Sequence, residues 1–272
     1  MEYTIESEKK FAFNFRELWE YRELFYFFTW RDIKVKYKQT FLGVTWAILQ
    51  PFVMMVVFSV FFGRVLKVPS DNIPYPVFVY SGLMFWTLFS SGVAHAAESM
   101  VGNANIIKKI YFPRLIIPSS AILVSVFDFL MTIIIFAGLL VYYSQPVNIP
   151  YLLFAFIVAL IITIITTFGL GTLLSALNVK YRDFRYVIPF LIQSLLFLTP
   201  VIYPISIVEN PYLRIFLSLN PMAGAISIAR SAVTGVAPDM NHVIISIIAA
   251  VVLFFSGLAV FRKTEAYFAD IA

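Results

Sequence analysis

The 272-residue sequence contains no cysteine, which excludes disulfides, iron–sulfur clusters and thiol chemistry. Charge is nearly as scarce: Asp, Glu, Lys and Arg make up 13% of the residues, about half the share in a soluble globule. No GxxxxGK[ST] phosphate loop occurs, so ATP binding of the usual P-loop kind is excluded and any ATP-driven motor would be another polypeptide. A GxSxG nucleophile elbow is also missing. The two histidines, His95 and His242, stand in no ligand spacing, which argues against a metal site. The first 40 residues lack the apolar core and small-residue cleavage site of a secretory signal.

What is present is oil. Hydrophobic residues make up 61% of the chain and aromatics 18%, and the mean hydropathy is +0.87. Because a bilayer crossing takes ~20 apolar residues, the apolar runs predict six spans, at 42–63, 76–97, 115–143, 150–177, 187–203 and 243–261. Sixteen of the 20 Lys and Arg residues fall before residue 41, in 98–114, in 178–186 and after 261. The positive-inside rule therefore places both termini and those two loops in the cytoplasm. The net charge of +5 reflects this topology and does not call for a nucleic-acid partner. The segment LNVKYRDFRYVIPF fits the same scheme, since Lys180, Arg182, Asp183 and Arg185 together cannot remain in hydrocarbon at ~2.5 to 3.5 kcal/mol each. They predict a cytoplasmic turn.

Between 204 and 242 lie PYLRIFLSL and MAGAISIARSAVTGV, separated by Asn220-Pro221 and closed by Ala237-Pro238-Asp239. Each is too short to cross at 1.5 Å per residue. Half-helices that dip in from the external face and return are expected over 205–240, a candidate outer gate whose irregular backbone must be buried in protein or line a cavity. The N-terminal region 1–41 mixes aromatics and charges. Asn14 with Glu17, and Thr29 with Asp32, have capping-box spacing or its Asp variant, predicting two successive helices. Leu18, Tyr21, Leu24, Phe25 and Phe28 share one face, the pattern of an amphipathic helix along the membrane interface. IKVKYK alternates with period two, so a strand competes with helix there.

Asp128, in SVFDFLMTIII, sits near the middle of the third span. It is either a carboxylate tied to a neighbouring helix, or kept neutral, or a group acting directly on a substrate or ion; no basic residue is evident at its depth. Gly169 and Gly171 in FGLGTLL echo part of a dinucleotide fingerprint, but a third glycine and an acidic partner are lacking, and close helix packing explains them. The 29 Phe, 15 Tyr and 4 Trp exceed what two interfacial belts need. Most belong to packing or lipid contact, and the remainder offers faces on which sugar rings stack. ESMVGNANIIKKIYFPR, 98–114, reads either as a solvated loop or as a short amphipathic helix exposing Ile106, Ile107, Ile110 and Tyr111 to a partner, ended by Pro113.

Together WRDIKVKYKQTFLGVTWAILQP (30–51), KKIYFPRLIIPSS (108–120), LNVKYRDFRYVIPFLIQSLLFLTPVIYP (177–204), NPMAGAISIAR (220–230) and FRKTEAYFADIA (261–272) resemble, over nearly the whole length, the membrane subunit of type-two ABC exporters of O-antigen, capsular or teichoic-acid polysaccharides. The resemblance implies an all-α polytopic protein whose domain 42–272 forms a channel as a homodimer on two copies of a separate P-loop ATPase. ATP and Mg would be bound by that ATPase, with no cofactor in this chain. It also implies residue roles. Asn103, Ile106, Ile107, Lys108, Lys109, Ile110, Tyr111, Phe112 and Arg114 look like an ATPase-coupling helix. Trp30, Arg31, Lys34, Tyr37 and Lys38 look like a cytoplasmic gate, with Asn178, Tyr181, Arg182, Asp183 and Tyr186 beside the entrance. Tyr203, Pro204, Asn220, Pro221 and Arg230 look like an external gate. The implied substrate is a lipid-linked glycan in a bacterial inner membrane, whose anionic pyrophosphate would favour a basic entrance. A drug or small-lipid ABC exporter, a secondary transporter and a membrane glycosyltransferase are the competing readings. Secondary transport would want several membrane carboxylates or an internal repeat, and a glycosyltransferase an acidic loop cluster; neither is evident. On this reading Asp183 helps cap the turn and contacts the gate helix, so Asp183→Ala should abolish export at an unchanged membrane level. Unaffected export would leave the residue a topological role only.

Overall fold

The computed structural model describes residues 19–38, 43–181 and 183–265. Leu18, the Asn14–Glu17 spacing, Arg182 and the end of the C-terminal motif lie outside them. The described elements are helical: α1 (Arg22–Lys38), α2 (Thr45–Phe58, prolonged by a π-helical stretch Ser59–Val65), α3 (Tyr75–Gly102), the single turn α4 (Ala104–Ile107), α5 (Ile116–Tyr142), α6 (Ile149–Lys180), α7 (Phe184–Leu198), α8 (Pro211–Ser218), α9 (Pro221–Thr234) and α10 (Met240–Glu265). A 3-10 turn, Ile205–Ile207, precedes α8. IKVKYK is helical, which settles the strand alternative.

Five helices are long and apolar enough to cross a bilayer on their own: α2 with its π extension, α3, α5, α6 and α10. The span expected at 187–203 is instead a 15-residue helix, α7, which at 1.5 Å per residue reaches only about 22 Å. Its helix stops at Thr199 because Pro200 restricts the preceding residue and donates nothing. The chain between 199 and 203 completes the passage, since Tyr75 at the start of α3 donates to the Ile202 carbonyl at 2.7 Å.

The two ends of the bundle differ. At the basic end, Phe28 of α1, Met100 of α3, Ile107, Phe112, Leu115, Ile116, Val179 of α6 and Phe261 of α10 bury one another. The distal end joins the 142–148 loop, the 199–207 segment and the bent pair α8–α9. In that pair, 8 and 14 residues meet at 97°. The far end of α9 returns to the distal side, where Gln145 donates to the Val233 carbonyl at 3.1 Å and Tyr151 bonds Ser231 at 2.9 Å. The half-helices therefore enter and leave by the same end. Asn210 and Asn220 cap them, each side chain accepting from an N–H of the first turn just before a proline.

The core lies along α3, where Val77, Phe78, Val79, Tyr80, Met84 and Phe85 are fully buried. Tyr80, Phe85, Phe129, Phe136 and Phe156 form one ring cluster between α3, α5 and α6. Glycines set how close the backbones come: a Cβ on Gly169 would lie 2.6 Å from backbone atoms of Leu253 and Phe254, and one on Gly171 would lie 2.9 Å from the Ala96 Cβ. FGLG thus serves two faces, α10 and α3. Gly257 meets the Gly169 carbonyl from the other side.

The N-terminal helix departs from expectation at Thr29 and Asp32. Thr29 does not start a second helix; its hydroxyl donates to the Phe25 carbonyl at 2.9 Å inside a continuous α1, and Asp32 pairs with Arg31. The face of Tyr21, Leu24, Phe25 and Phe28 packs on the basic-end cluster, Phe28 fully buried and the other three partly so. Replacing Gly169 by Ala or Leu should push α6 and α10 apart and cost about 1–3 kcal/mol or more. The expected readout is a lowered unfolding midpoint in detergent, with Gly138→Ala, whose Cβ meets nothing within 4 Å, as the silent control.

Candidate functional site

Three polar constellations hold the described helices together, and two of them converge on α1. Arg31 donates from Nη2 to the Asn103 side-chain oxygen at 2.8 Å and from Nε to Asp32 at 2.8 Å. Its guanidinium lies 4.8 Å from the Phe28 ring centroid, and Phe28 in turn meets Phe112 with centroids 5.7 Å apart. These contacts tie the middle of α1 to both ends of the 103–112 segment.

The second constellation lies deeper. Lys36 Nζ donates to Asp128 Oδ2 at 2.5 Å, and the Tyr37 hydroxyl donates to the other carboxylate oxygen. The Tyr37 ring leans on Phe127. Asp128 stands twelve residues into α5, about 18 Å from its basic-end start, so the last turn of α1 reaches well along a transmembrane helix. Lys36 is therefore the counter-charge that Asp128 lacks on a reading of the spans alone. Burial, then the hydrogen bond to Asp128 and that carboxylate's charge, hold the Tyr37 phenol well above the ordinary tyrosine range, so it remains a donor. One turn earlier on α5, Ser125 meets His95 Nδ1 at 3.4 Å.

The third is at the distal end. Arg230 is 6% exposed and donates from Nη1 to the Pro200 carbonyl and from Nη2 to the Val201 carbonyl, each at 2.5 Å, while its guanidinium covers Phe78 at 3.7 Å. A Cβ on Gly82 would come within 2.7 Å of Nη2, so glycine is what leaves room for the arginine. Asn220 Nδ2 donates to Thr199 Oγ1 at 2.7 Å. Arg230 and Asn220 thereby bracket the α7 terminus to the bent pair, with Pro204 and Pro221 buried in the joint and the Tyr203 hydroxyl donating to the Phe197 carbonyl. His242 bonds Ser218 at 2.8 Å and pairs with Asp239 at 3.3 Å.

The residues expected to couple to an ATPase divide in two. Lys108, Lys109, Ile110 and Tyr111 are exposed, whereas Ile107 and Phe112 are buried and Ile106 is packed against the same cluster. Only one helical turn forms before Lys108, so Ile106 and Ile107 face inward and the outward pair is Ile110–Tyr111. Arg114 donates to the Glu265 carbonyl at the end of α10. Around the supposed entrance, Trp30, Lys34, Lys38, Tyr181, Asp183 and Tyr186 are exposed or nearly half so. Lys34 sits over Trp30 at 5.2 Å and Lys180 over Tyr181 at 5.1 Å. Asn178 is not at an entrance: it is buried and donates to the Ala97 carbonyl at 2.9 Å, tying α6 to α3. The Asp183 side chain makes no capping bond to α7.

Residues 23–234 match the family described as ABC-2 type transporter. The chain belongs to that family. The matched stretch runs from the first turn of α1 to the last residue of α9, so it takes in α1, the 103–114 segment and the bent pair. Over 258 residues, covering 94% of this chain and 97% of the relative, it is 29% identical to the O-antigen export system permease protein RfbA of Myxococcus xanthus. A protein of the same description from Klebsiella pneumoniae is 32% identical over 242 residues, 89% of this chain and 92% of its own length. The polysialic acid transport protein KpsM of Escherichia coli is 24% identical over 245 residues, 86% of this chain and 91% of that one. This ABC-2 type chain is accordingly a multi-pass membrane protein with a transport role, in a family that implies an ATPase partner. Arg230→Ala would strand two buried carbonyls, each worth about 1–3 kcal/mol. The variant should lose several degrees of thermal stability in detergent, and Arg230→Lys, which cannot fork between both carbonyls, should recover only part.

Proposed function

We propose that this chain is the channel-forming permease subunit of an ATP-driven exporter that moves a lipid-linked, O-antigen-like polysaccharide out of the cytoplasm across the bacterial inner membrane. Two copies enclose the channel, and two copies of a separate P-loop ATPase bind below it at the basic end, which faces the cytoplasm together with both termini. The observation that carries the reading is the near full-length similarity to O-antigen export permeases. The geometry supports the division of labour. Lys108, Lys109, Ile110 and Tyr111 form the outward surface for the ATPase, and α1 links that surface to the membrane interior as the cytoplasmic gate. Its exposed Trp30–Lys34 face and the neighbouring Tyr181 and Tyr186 suit a substrate with an anionic pyrophosphate and stackable sugar rings. The bent pair α8–α9, braced by Arg230 and Asn220, is the external gate. The domain division 1–41 and 42–272 is then one of role, with α1 as a moving part.

Purified from its native host in mild detergent, the tagged chain should bring down a P-loop ATPase at one copy per copy. Cells lacking it should accumulate finished lipid-linked glycan inside. An ATPase partner without trapped glycan would favour an exporter of small lipids or drugs, and no ATPase, where other membrane complexes survive, would overturn the assignment.

A further inference from the structure

We propose that Asp128, Lys36 and Tyr37 form a releasable latch that holds the inner end of α1 against α5 and keeps the basic-end gate shut at rest. The inference rests on the reading of α1 as a gate, and assigns to Asp128 a positioning role in place of one in substrate or ion binding. Three features distinguish this contact from the other polar tethers. It joins side chain to side chain across separate elements, with both carboxylate oxygens engaged by consecutive residues of one helix turn. The Lys36 side chain keeps a third of its surface exposed while that of Asp128 keeps 11%, so water can replace the lysine without unfolding α5. The same helix is clasped, two turns earlier, to the 103–112 segment through Arg31–Asn103 and Phe28–Phe112. A displacement of that segment pulls on α1 as a rigid rod, because continuous helix from Phe28 to Tyr37 connects the two contacts. The latch is then the point at which the pull either opens the gate or is resisted.

Why an acid should sit that far along α5 follows from the same picture. An unpaired carboxylate among apolar side chains is strongly unfavourable, and one with a single fixed partner would be a permanent bolt. With one cation and one neutral donor, Asp128 gives up Lys36 to water before the Tyr37 hydrogen bond breaks, so release of α1 divides into two smaller steps. A two-state element of this kind shifts its population with any load that favours one state.

The test uses the complex as purified from its host, in liposomes loaded with a small fluorescent dye. With the latch weakened, Asp128→Asn and Lys36→Gln should raise resting dye leakage on the order of tenfold, and Tyr37→Phe by less. The exchanged pair Lys36→Asp with Asp128→Lys should return leakage toward the parent value. Since the chain has no cysteine of its own, Lys36→Cys with Asp128→Cys gives one addressable pair; bridging it with a reducible bifunctional thiol reagent should block export, and reductant should restore it. Unchanged leakage in folded Asp128→Asn, or export that continues across the bridge, overturns the latch. Should Asp128→Asn fail to fold, the exchanged pair and Tyr37→Phe still decide, a leak-free Tyr37→Phe together with a leaky exchanged pair counting against it. The leakage arm needs no glycan, so a parent complex that leaks as expected on mutation yet moves no glycan sinks the substrate assignment and leaves the latch standing.

Discussion

Hydrocarbon supplies no partner for a peptide group or a charge, and no hydrophobic drive between one oily helix and the next. Each polar group inside this bundle therefore has to be answered from within, and those answers determine which helices meet. The hydroxyls of Thr163, Thr166 and Thr167 return to carbonyls of their own helix and ask nothing of a neighbour. Asn178, Asp128 and Arg230 cannot do so. Each reaches across to another element, and each contact fixes a pairing that apolar surface would leave undetermined: α6 with α3, α5 with α1, α9 with the end of α7.

α3 carries the consequences at both ends. Phe78 lies under Arg230 near its start, the Ala97 carbonyl takes the Asn178 bond further along, and Asn103 just past its end receives Arg31. Its apolar window is 78% buried, against 17% for α2 and 22% for α10. The most enclosed helix thus meets the Arg230 and Asn178 contacts and, just past its end, the Arg31 contact, and it acts as the frame against which α1 at one end and the bent pair at the other are positioned. Small residues let it do so, since Gly82 admits Arg230, Gly92 admits α6, and Gly171 of α6 admits α3 in turn.

The spans were legible because crossing a bilayer is a property of each segment taken alone: length, apolarity and flanking charge are all local. The bent pair was legible for a similar reason, Asn-Pro being both a cap and a first-turn signal within two residues. What failed was relational. Lys36 and Asp128 are 92 positions apart, and nothing local marks them as partners, although a lone intramembrane carboxylate is itself a demand for a cation and α1 is the lysine-rich element adjoining a span. Asn178 was assigned to the loop it precedes because its buried side depends on where α3 passes. Ile106 and Ile107 were given to a partner because the four-residue helix ends too early to turn them outward. Thr29 was misread because the capping-box spacing is short, and a mid-helix threonine satisfies the same hydroxyl one turn back.

Arg230 and Asp128 show how burial alone does not decide whether a polar contact is a rivet or a catch. Arg230 donates to the backbone carbonyls of Pro200 and Val201, in the turn that follows α7. Those acceptors move only if the chain around Pro200 rearranges, and the arginine lines a cavity of about 210 Å³ with Asp71 and Ser206. Asp128 accepts from side chains, and Lys36 has both a flexible stem and a wetted flank. Exchange of that lysine for water loses one charge-assisted bond but breaks no secondary structure, whereas loss of Arg230 would leave the carbonyls of Pro200 and Val201 without it. The proposed latch at the basic end thus differs from the distal joint in kind: its bonds are between side chains and open without moving backbone, whereas the external gate opens only if the turn after α7 rearranges with it.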